Sequence, residues 1–131
     1  MTDRLVKTDS QWRKQLNDEQ YRVTRKAGTE VPFTGQYVTH NQDGTYTCIC
    51  CEKPLFSSNA KFDSGCGWPS FSNLIEHGLA THHKDLGLGM DRTEVRCQHC
   101  DAHLGHVFDD GPAPTGLRYC INSVALDFAE K

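Results

Sequence analysis

Cys48-Ile49-Cys50-Cys51 and Cys97-Gln98-His99-Cys100 are two turns of one kind. In each, a two-residue gap lets both thiolates of a tight turn point at one ion, and two such turns complete a tetrahedral four-thiolate site of the sort that holds structural zinc. The ligands Cys48, Cys51, Cys97 and Cys100 come from separate halves of the chain, so the site predicts a staple across one fold. Four thiolates close the coordination sphere and leave no place for a metal-activated water. Neither pair opens a helix beside a βαβ unit, as a thioredoxin-type redox motif requires. No H-x-E partner accompanies them, which argues against a zinc nucleobase deaminase. Three cysteines are left over: Cys50, Cys66 and Cys120.

The 131 residues suit one domain spanning 1–131. Only 37% of them are hydrophobic and the mean hydropathy is −0.61, so a metal staple would supplement a modest core. The net charge is −3, the pI is near 6.1 and no Lys/Arg run stands out, so no nucleic-acid partner is expected. No apolar run approaches the roughly 20 residues that span a bilayer, and the polar start Met1-Thr2-Asp3-Arg4 lacks the apolar stretch of a signal peptide. Seven cysteines read as metal ligands plus reactive thiols in a reducing compartment. A cytoplasmic monomer without membrane contact is the expectation.

The spacing predicts a mainly β fold behind a helical segment of about 8–28. Thr8 or Asp9 starts a helix with Trp12 and Leu16 on one stripe. Asn17-Asp18-Glu19-Gln20 reads as a capping box opening a second helix, with Arg25 and Lys26 in its last turn and Gly28 just past it. A β core follows over about 31–128. Asp43-Gly44 is a hairpin signal leading into 45–48. Further strands are expected at 79–84, 93–96, 103–108, 118–122 and 124–128, separated by turns such as Asp110-Gly111-Pro112.

Three stretches carry the remaining chemistry. On a strand through Arg118-Tyr119-Cys120-Ile121-Asn122, the residues Arg118, Cys120 and Asn122 share a polar face. A cation beside a thiol favours the thiolate and lowers its pKa; the same pattern also suits a half-buried structural cysteine. In His103-Leu104-Gly105-His106-Val107-Phe108 the two histidines face opposite ways on a regular strand, with His106 on the side of Phe108. They fit either a solvated pair or a proton donor near Cys120. In Ser64-Gly65-Cys66-Gly67-Trp68-Pro69-Ser70, glycines flank a thiol and Trp68 offers a flat apolar wall, which fits a mobile reactive loop or a turn over a buried ring. Cys50 reads as a spare thiol, and His82, His83 and His99 as solvated or supporting groups.

The order of these stretches, with Arg92-Thr93-Glu94-Val95-Arg96 and Gly116-Leu117 between them, resembles the B-type methionine sulfoxide reductases from about Trp12 to Phe128. Asp85 to Asp91 departs from the family pattern. The resemblance implies two antiparallel sheets with short N-terminal helices and a distant structural zinc. It implies an enzyme that reduces methionine-R-sulfoxide in oxidised proteins, with no organic cofactor, and thioredoxin as reductant. Residue by residue, it implies Cys120 as nucleophile and Cys66 as the thiol that closes a disulfide with it. His106, Asn122 and Trp68 then shape the substrate site, with His103, Arg118 and Phe108 at or near it. A non-catalytic zinc-ribbon-like binding module is the rival reading. An A-type reductase, suggested by Gly65-Cys66-Gly67-Trp68, is a weaker one, since Gly67 stands where that family has Phe.

Overall fold

The computed structural model describes residues 5–76, 78–89 and 91–130. The polar start at Met1 to Arg4, and Met90 in the departing stretch, lie outside them.

Two short helices come first among the described residues, α1 (Asp9–Gln15) and α2 (Asp18–Arg25). Each begins with a reciprocal capping box, Thr8 with Gln11 and Asn17 with Gln20, which satisfies amide donors that a helix start leaves free. α1 buries Trp12, and the Arg25 guanidinium of α2 lies 4.3 Å over its ring. The same Arg25 donates to the Cys100 carbonyl at 2.9 Å, so the helices are tied to a cysteine turn. The exit from α2 differs from expectation. Ala27, at φ 54, takes the left-handed position, and the Gly28 N–H closes the end on the Arg22 carbonyl. Gly28 serves there through its lack of a Cβ, which would press on the Arg22 side chain and carbonyl.

Among the described residues nine strands follow: β1 (Gly44–Cys48), β2 (Pro54–Ser57), β3 (Lys61–Phe62), β4 (Ser70–Phe71), β5 (Ala80–Asp85), β6 (Arg92–Cys97), β7 (His103–Phe108), β8 (Arg118–Ile121) and β9 (Leu126–Glu130). They form two antiparallel sheets, β2-β1-β9 and β3-β4-β8-β7-β6-β5. Tyr46, Leu55 and Phe56 of the first sheet and Phe71, Leu104 and Ile121 of the second are fully buried in one apolar cluster. Phe56 stacks on Phe71 at 4.3 Å across the interface.

Two sequence expectations shift. Asp43-Gly44 does not join two strands: among the described residues none precedes β1, and the Gly44 N–H donates to the Ser58 hydroxyl. The hairpin lies downstream, where the cysteine turn 48–53 joins β1 to β2. The last strand starts at Leu126 rather than Val124, because Ser123–Ala125 forms a short 3-10 turn. There the Val124 N–H is taken by the Glu30 carboxylate and the Ala125 N–H by the Asn122 carbonyl.

The register of the larger sheet builds the site. Directly paired residues on adjacent strands share a face. The pairs His83↔Glu94, Glu94↔His106, His106↔Cys120 and Cys120↔Ser70 therefore make one polar row across β5, β6, β7, β8 and β4. Gly105, next to His106 in β7 and paired with Ile121, keeps β7 close against β8, because a Cβ there would overlap the Cys120 carbonyl oxygen and the Ile121 backbone. Neither obstacle is a flexible side chain. Gly105→Ala should therefore cost about 2–3 kcal/mol, as overpacking of a closed interior does. A urea melt with wild-type stability would contradict this account.

Candidate active site and metal centre

The two cysteine turns are built alike. In each, the first cysteine's N–H reaches five residues ahead, Cys48 to the Lys53 carbonyl and Cys97 to the Ala102 carbonyl, both at 2.9 Å. The first cysteine's carbonyl also takes an N–H from the residue after the second, Glu52 or Asp101, at 2.8 Å. Those two residues sit at φ 67 and 65. The turns face each other, and all four sulfurs of Cys48, Cys51, Cys97 and Cys100 lie within 4.8 Å of one another. The Cys48–Cys100 and Cys51–Cys97 separations are 3.6 Å. Bonds of about 2.3 Å to a central zinc imply sulfur–sulfur edges of about 3.8 Å, so the cluster fits a tetrahedral thiolate-bound metal. Cys50 is buried alongside and stands outside the four-sulfur group; Gln15 of α1 holds its carbonyl at 2.8 Å. The cluster joins the β1–β2 turn to the β6–β7 turn, and hence one sheet to the other. Cys97→Ala should cost about 4 kcal/mol or more, as loss of a structural metal does. A chelator that left the thermal melt of the wild type unmoved would count against a metal here.

At the other end of the larger sheet lies a cleft of about 90 Å³ lined by Thr29, Trp68, Arg92, Gly105, His106, Phe108, Cys120 and Asn122. Two hollows of about 400 Å³ each lie elsewhere, one along 38–43, Ser58 and 61–63, the other between α2 and the turn at Ser123. The smaller cleft holds the thiol chemistry. Cys66 Sγ touches Cys120 Sγ at 2.8 Å, and both cysteines are free thiols. The loop carrying Cys66 turns on Gly65 and Gly67, at φ 76 and 92. Ser70, paired with Cys120, holds the Cys66 sulfur at 3.4 Å and the Ser64 hydroxyl at 2.7 Å.

The charge on this pair does not sit where the sequence suggests. Burial foremost, and then the adjacent Cys66, push the Cys120 thiol up; Arg118 acts the other way and loses. Arg118 is engaged elsewhere, in a bidentate pair with Asp110 at 2.8 and 3.2 Å and over the Phe108 ring at 4.4 Å. Burial opposes ionisation of Cys66 as well, yet hydrogen bonds from Cys120, Ser64 and Ser70 bring it down to about 7. Of the two touching thiols, Cys66 is therefore the more acidic.

His106 Nε2 lies 2.9 Å from Asp85 Oδ2. That bond is the main cause holding the Asp85 carboxyl below its ordinary range, so Asp85 accepts and the imidazole donates. His103 is not on the opposite side from His106. Val95↔Gly105 is followed by Arg96↔His103, so β7 carries one extra residue, and this bulge brings the two rings to 5.7 Å. His103 stands behind the cleft, buried, with Nδ1 2.6 Å from Glu94. Burial lowers its pKa against the pull of that carboxylate. Asn122 is buried; its Oδ1 accepts from the Glu30 N–H at 3.0 Å and its Nδ2 donates to the Leu104 carbonyl at 3.0 Å. One Nδ2–H is left over among the described residues. The Trp68 Nε1–H donates to the Glu30 carbonyl at 3.1 Å.

The structure thus gathers Trp68, His106, Phe108, Cys120 and Asn122 at the cleft with Cys66 beside them, and sets His103 and Arg118 behind it. Thr29, Glu30, Ser70, Asp85 and Arg92 also belong to the site. Ser70 and Arg92 stood in stretches that carry the family resemblance and Asp85 in the one that departs from it, whereas Thr29 and Glu30 carried no sequence signal.

Fold and site together define a class: a small two-sheet β protein with a four-cysteine cluster able to hold a metal at one end and a pair of free thiols beside a cleft at the other. The SelR domain matches residues 16–130. Three relatives are each named peptide methionine sulfoxide reductase MsrB. The protein from Herminiimonas arsenicoxydans is 59% identical over 98% of this chain and 93% of its own. That from Teredinibacter turnerae is 55% identical over 100% and 97%, and that from Pseudomonas putida 62% over 95% and 94%. The chain belongs to this family, the SelR-domain or B-type methionine sulfoxide reductases.

Alkylation by iodoacetamide checks the thiol assignment. In wild-type protein, Cys66 should react faster than Cys120, with a rate that rises as pH climbs through about 7, since only the thiolate attacks. In Cys66→Ser, Cys120 should react faster than in the wild type, because the neighbour that raises its pKa is gone. Mass-spectrometric mapping of the labelled peptides reads both outcomes.

Proposed function

We propose that the chain reduces methionine-R-sulfoxide in oxidised proteins, with Cys120 as nucleophile, Cys66 as resolving thiol, thioredoxin as reductant and zinc in the cysteine cluster. The observation that carries this is the contact of two free sulfurs at 2.8 Å beside a cleft that holds an apolar wall and a histidine. Trp68 and Phe108 suit an S-methyl group. His106, oriented by Asp85, suits a proton donor to the sulfoxide oxygen. The remaining Asn122 Nδ2–H and the Arg92 Nε–H, which has no partner among the described residues, are donors for the same oxygen.

The Cys120 proton passes to Cys66, and the Cys120 sulfur attacks the sulfoxide sulfur while the oxygen is protonated. The protonated oxygen then passes from the methionine sulfur to the Cys120 sulfur, its old S–O bond breaks, methionine leaves and Cys120 is left as a sulfenic acid. The Cys66 thiol displaces that oxygen as water, so two thiols have supplied two electrons and become a disulfide. Thioredoxin restores both thiols by exchange. The glycines beside Cys66 let its sulfur withdraw for substrate entry and return for this step. Zinc in the four-cysteine cluster takes no part in the reaction; it holds the two sheets in place. A zinc-ribbon-like binding module would have no use for a thiol pair in a cleft.

Cys120→Ser should abolish turnover of methionine-R-sulfoxide while leaving the circular dichroism spectrum and bound metal intact. Cys66→Ser should release about one methionine per chain in a single turnover, then stall with thioredoxin, which attacks a disulfide and finds only a sulfenic acid. Undiminished turnover by Cys120→Ser would move the nucleophile to Cys66. A disulfide from Cys120 to Cys50 in substrate-treated wild type would remove Cys66 from the resolving role.

A further inference from the structure

The segment 29–33 runs along the cleft and is fastened to it by hydrogen bonds of Glu30 and Phe33. Thr29 lines the cleft. The Glu30 backbone holds Asn122 through its N–H and Trp68 through its carbonyl. The Glu30 side chain is 1% exposed, its Oε1 accepting the Val124 N–H at 3.0 Å, so the strap is anchored from below. The Phe33 N–H donates to the Gly67 carbonyl at 2.7 Å, between Cys66 and Trp68. Pro32 and the Phe33 ring lie so close to Gly67 that a Cβ there would crowd both.

The outward side of this strap is unusual. Phe33 has φ 67, a left-handed conformation that a bulky side chain adopts at a cost. Burial of its ring does not offset that cost: Phe33 is 70% exposed, and Val31, two residues before it, 64%. A strained backbone that presents an apolar ring to water beside a reactive site points to a use at that site. The cleft itself, at about 90 Å³, takes the end of a side chain and leaves the flanking polypeptide outside it. The rim that such a polypeptide meets next to Trp68 is this strap.

We propose that Phe33, with Val31 beside it, is a specificity-determining element that contacts apolar residues flanking the oxidised methionine of a polypeptide substrate. This deepens the proposed function and rests on it. The strap selects for sulfoxides in chain segments whose apolar neighbours are exposed, and against the free amino acid, which fills the cleft and never reaches the rim.

The test compares three sulfoxides with dithiothreitol as reductant: acetyl-Leu-Met-Leu-amide and acetyl-Gly-Met-Gly-amide, each oxidised at methionine to the R-sulfoxide, and free methionine-R-sulfoxide. Phe33→Gly removes the ring at a backbone angle that glycine adopts freely, so the fold is retained. The ratio of kcat/KM for the Leu-flanked peptide to that for the free sulfoxide should fall about tenfold, the loss of one well-packed aromatic contact. The change should appear in KM. The Gly-flanked peptide should show a much smaller fall, and Phe33→Tyr, which keeps the ring, should restore the wild-type ratio. A ratio unchanged in Phe33→Gly overturns the proposal. So does a fall that appears only when thioredoxin replaces dithiothreitol, since the face would then belong to the reductant. Wild-type protein that reduces none of the three sinks the proposed function and the inference with it, whereas wild-type turnover with an unchanged ratio sinks the inference alone.

Discussion

Two hairpin turns meeting sulfur to sulfur are what the rest of the fold hangs on. One turn belongs to β1 and β2, the other to β6 and β7, so the cluster is a rivet between sheets that are otherwise held together by side-chain packing. Each turn sets an acidic residue at positive φ and closes its first cysteine's backbone bonds internally, which presents the thiolates without help from outside. The helices report to the same place through Arg25 on the Cys100 carbonyl. Four like-charged thiolates in a buried spot would repel one another without a cation among them, so a metal bound there would be coupled to folding.

From that joint the larger sheet extends to the thiols. Its polar row works because β7 is closely applied to β8 at a glycine and because β7 carries one extra residue upstream. The first feature sets His106 opposite Cys120; the second brings His103 round to the carboxylate of Glu94. The nucleophile candidate is then buried, and burial is the larger influence on its proton. An arginine two residues away cannot overcome it while bound to Asp110. The more acidic thiol is the less buried one on the glycine-flanked loop, where Cys120, Ser64, Ser70 and the Trp68 backbone bond to it.

Much of this was legible from spacing alone. Cysteine pairs, capping boxes and alternating strands are local signals, and local signals survive into the structure. The strand at 103–108 and the helix starts at Thr8 and Asn17 stand where the pattern placed them. What was hidden is relational. β3 and β4 are two residues each, too short for any period to show, and they are ladder partners rather than independent elements. The bulge in β7 is invisible in a sequence whose alternation continues through it. Glu30 sits in an ordinary-looking polar turn, and its role depends on partners 38 and 92 residues away. Arg118 beside Cys120 was a sound cue about distance and a poor one about energy, because the carboxylate that occupies it comes from another turn.

The edges of the six-stranded sheet bear on the company such a protein keeps. One edge, β3, is two residues long; the other, β5, carries His82, His83, Lys84 and Asp85. Bare strand edges recruit passing strands, and stubby or charged ones refuse them. With both edges of its main sheet blunted in this way, the fold offers another chain little template for edge-to-edge pairing.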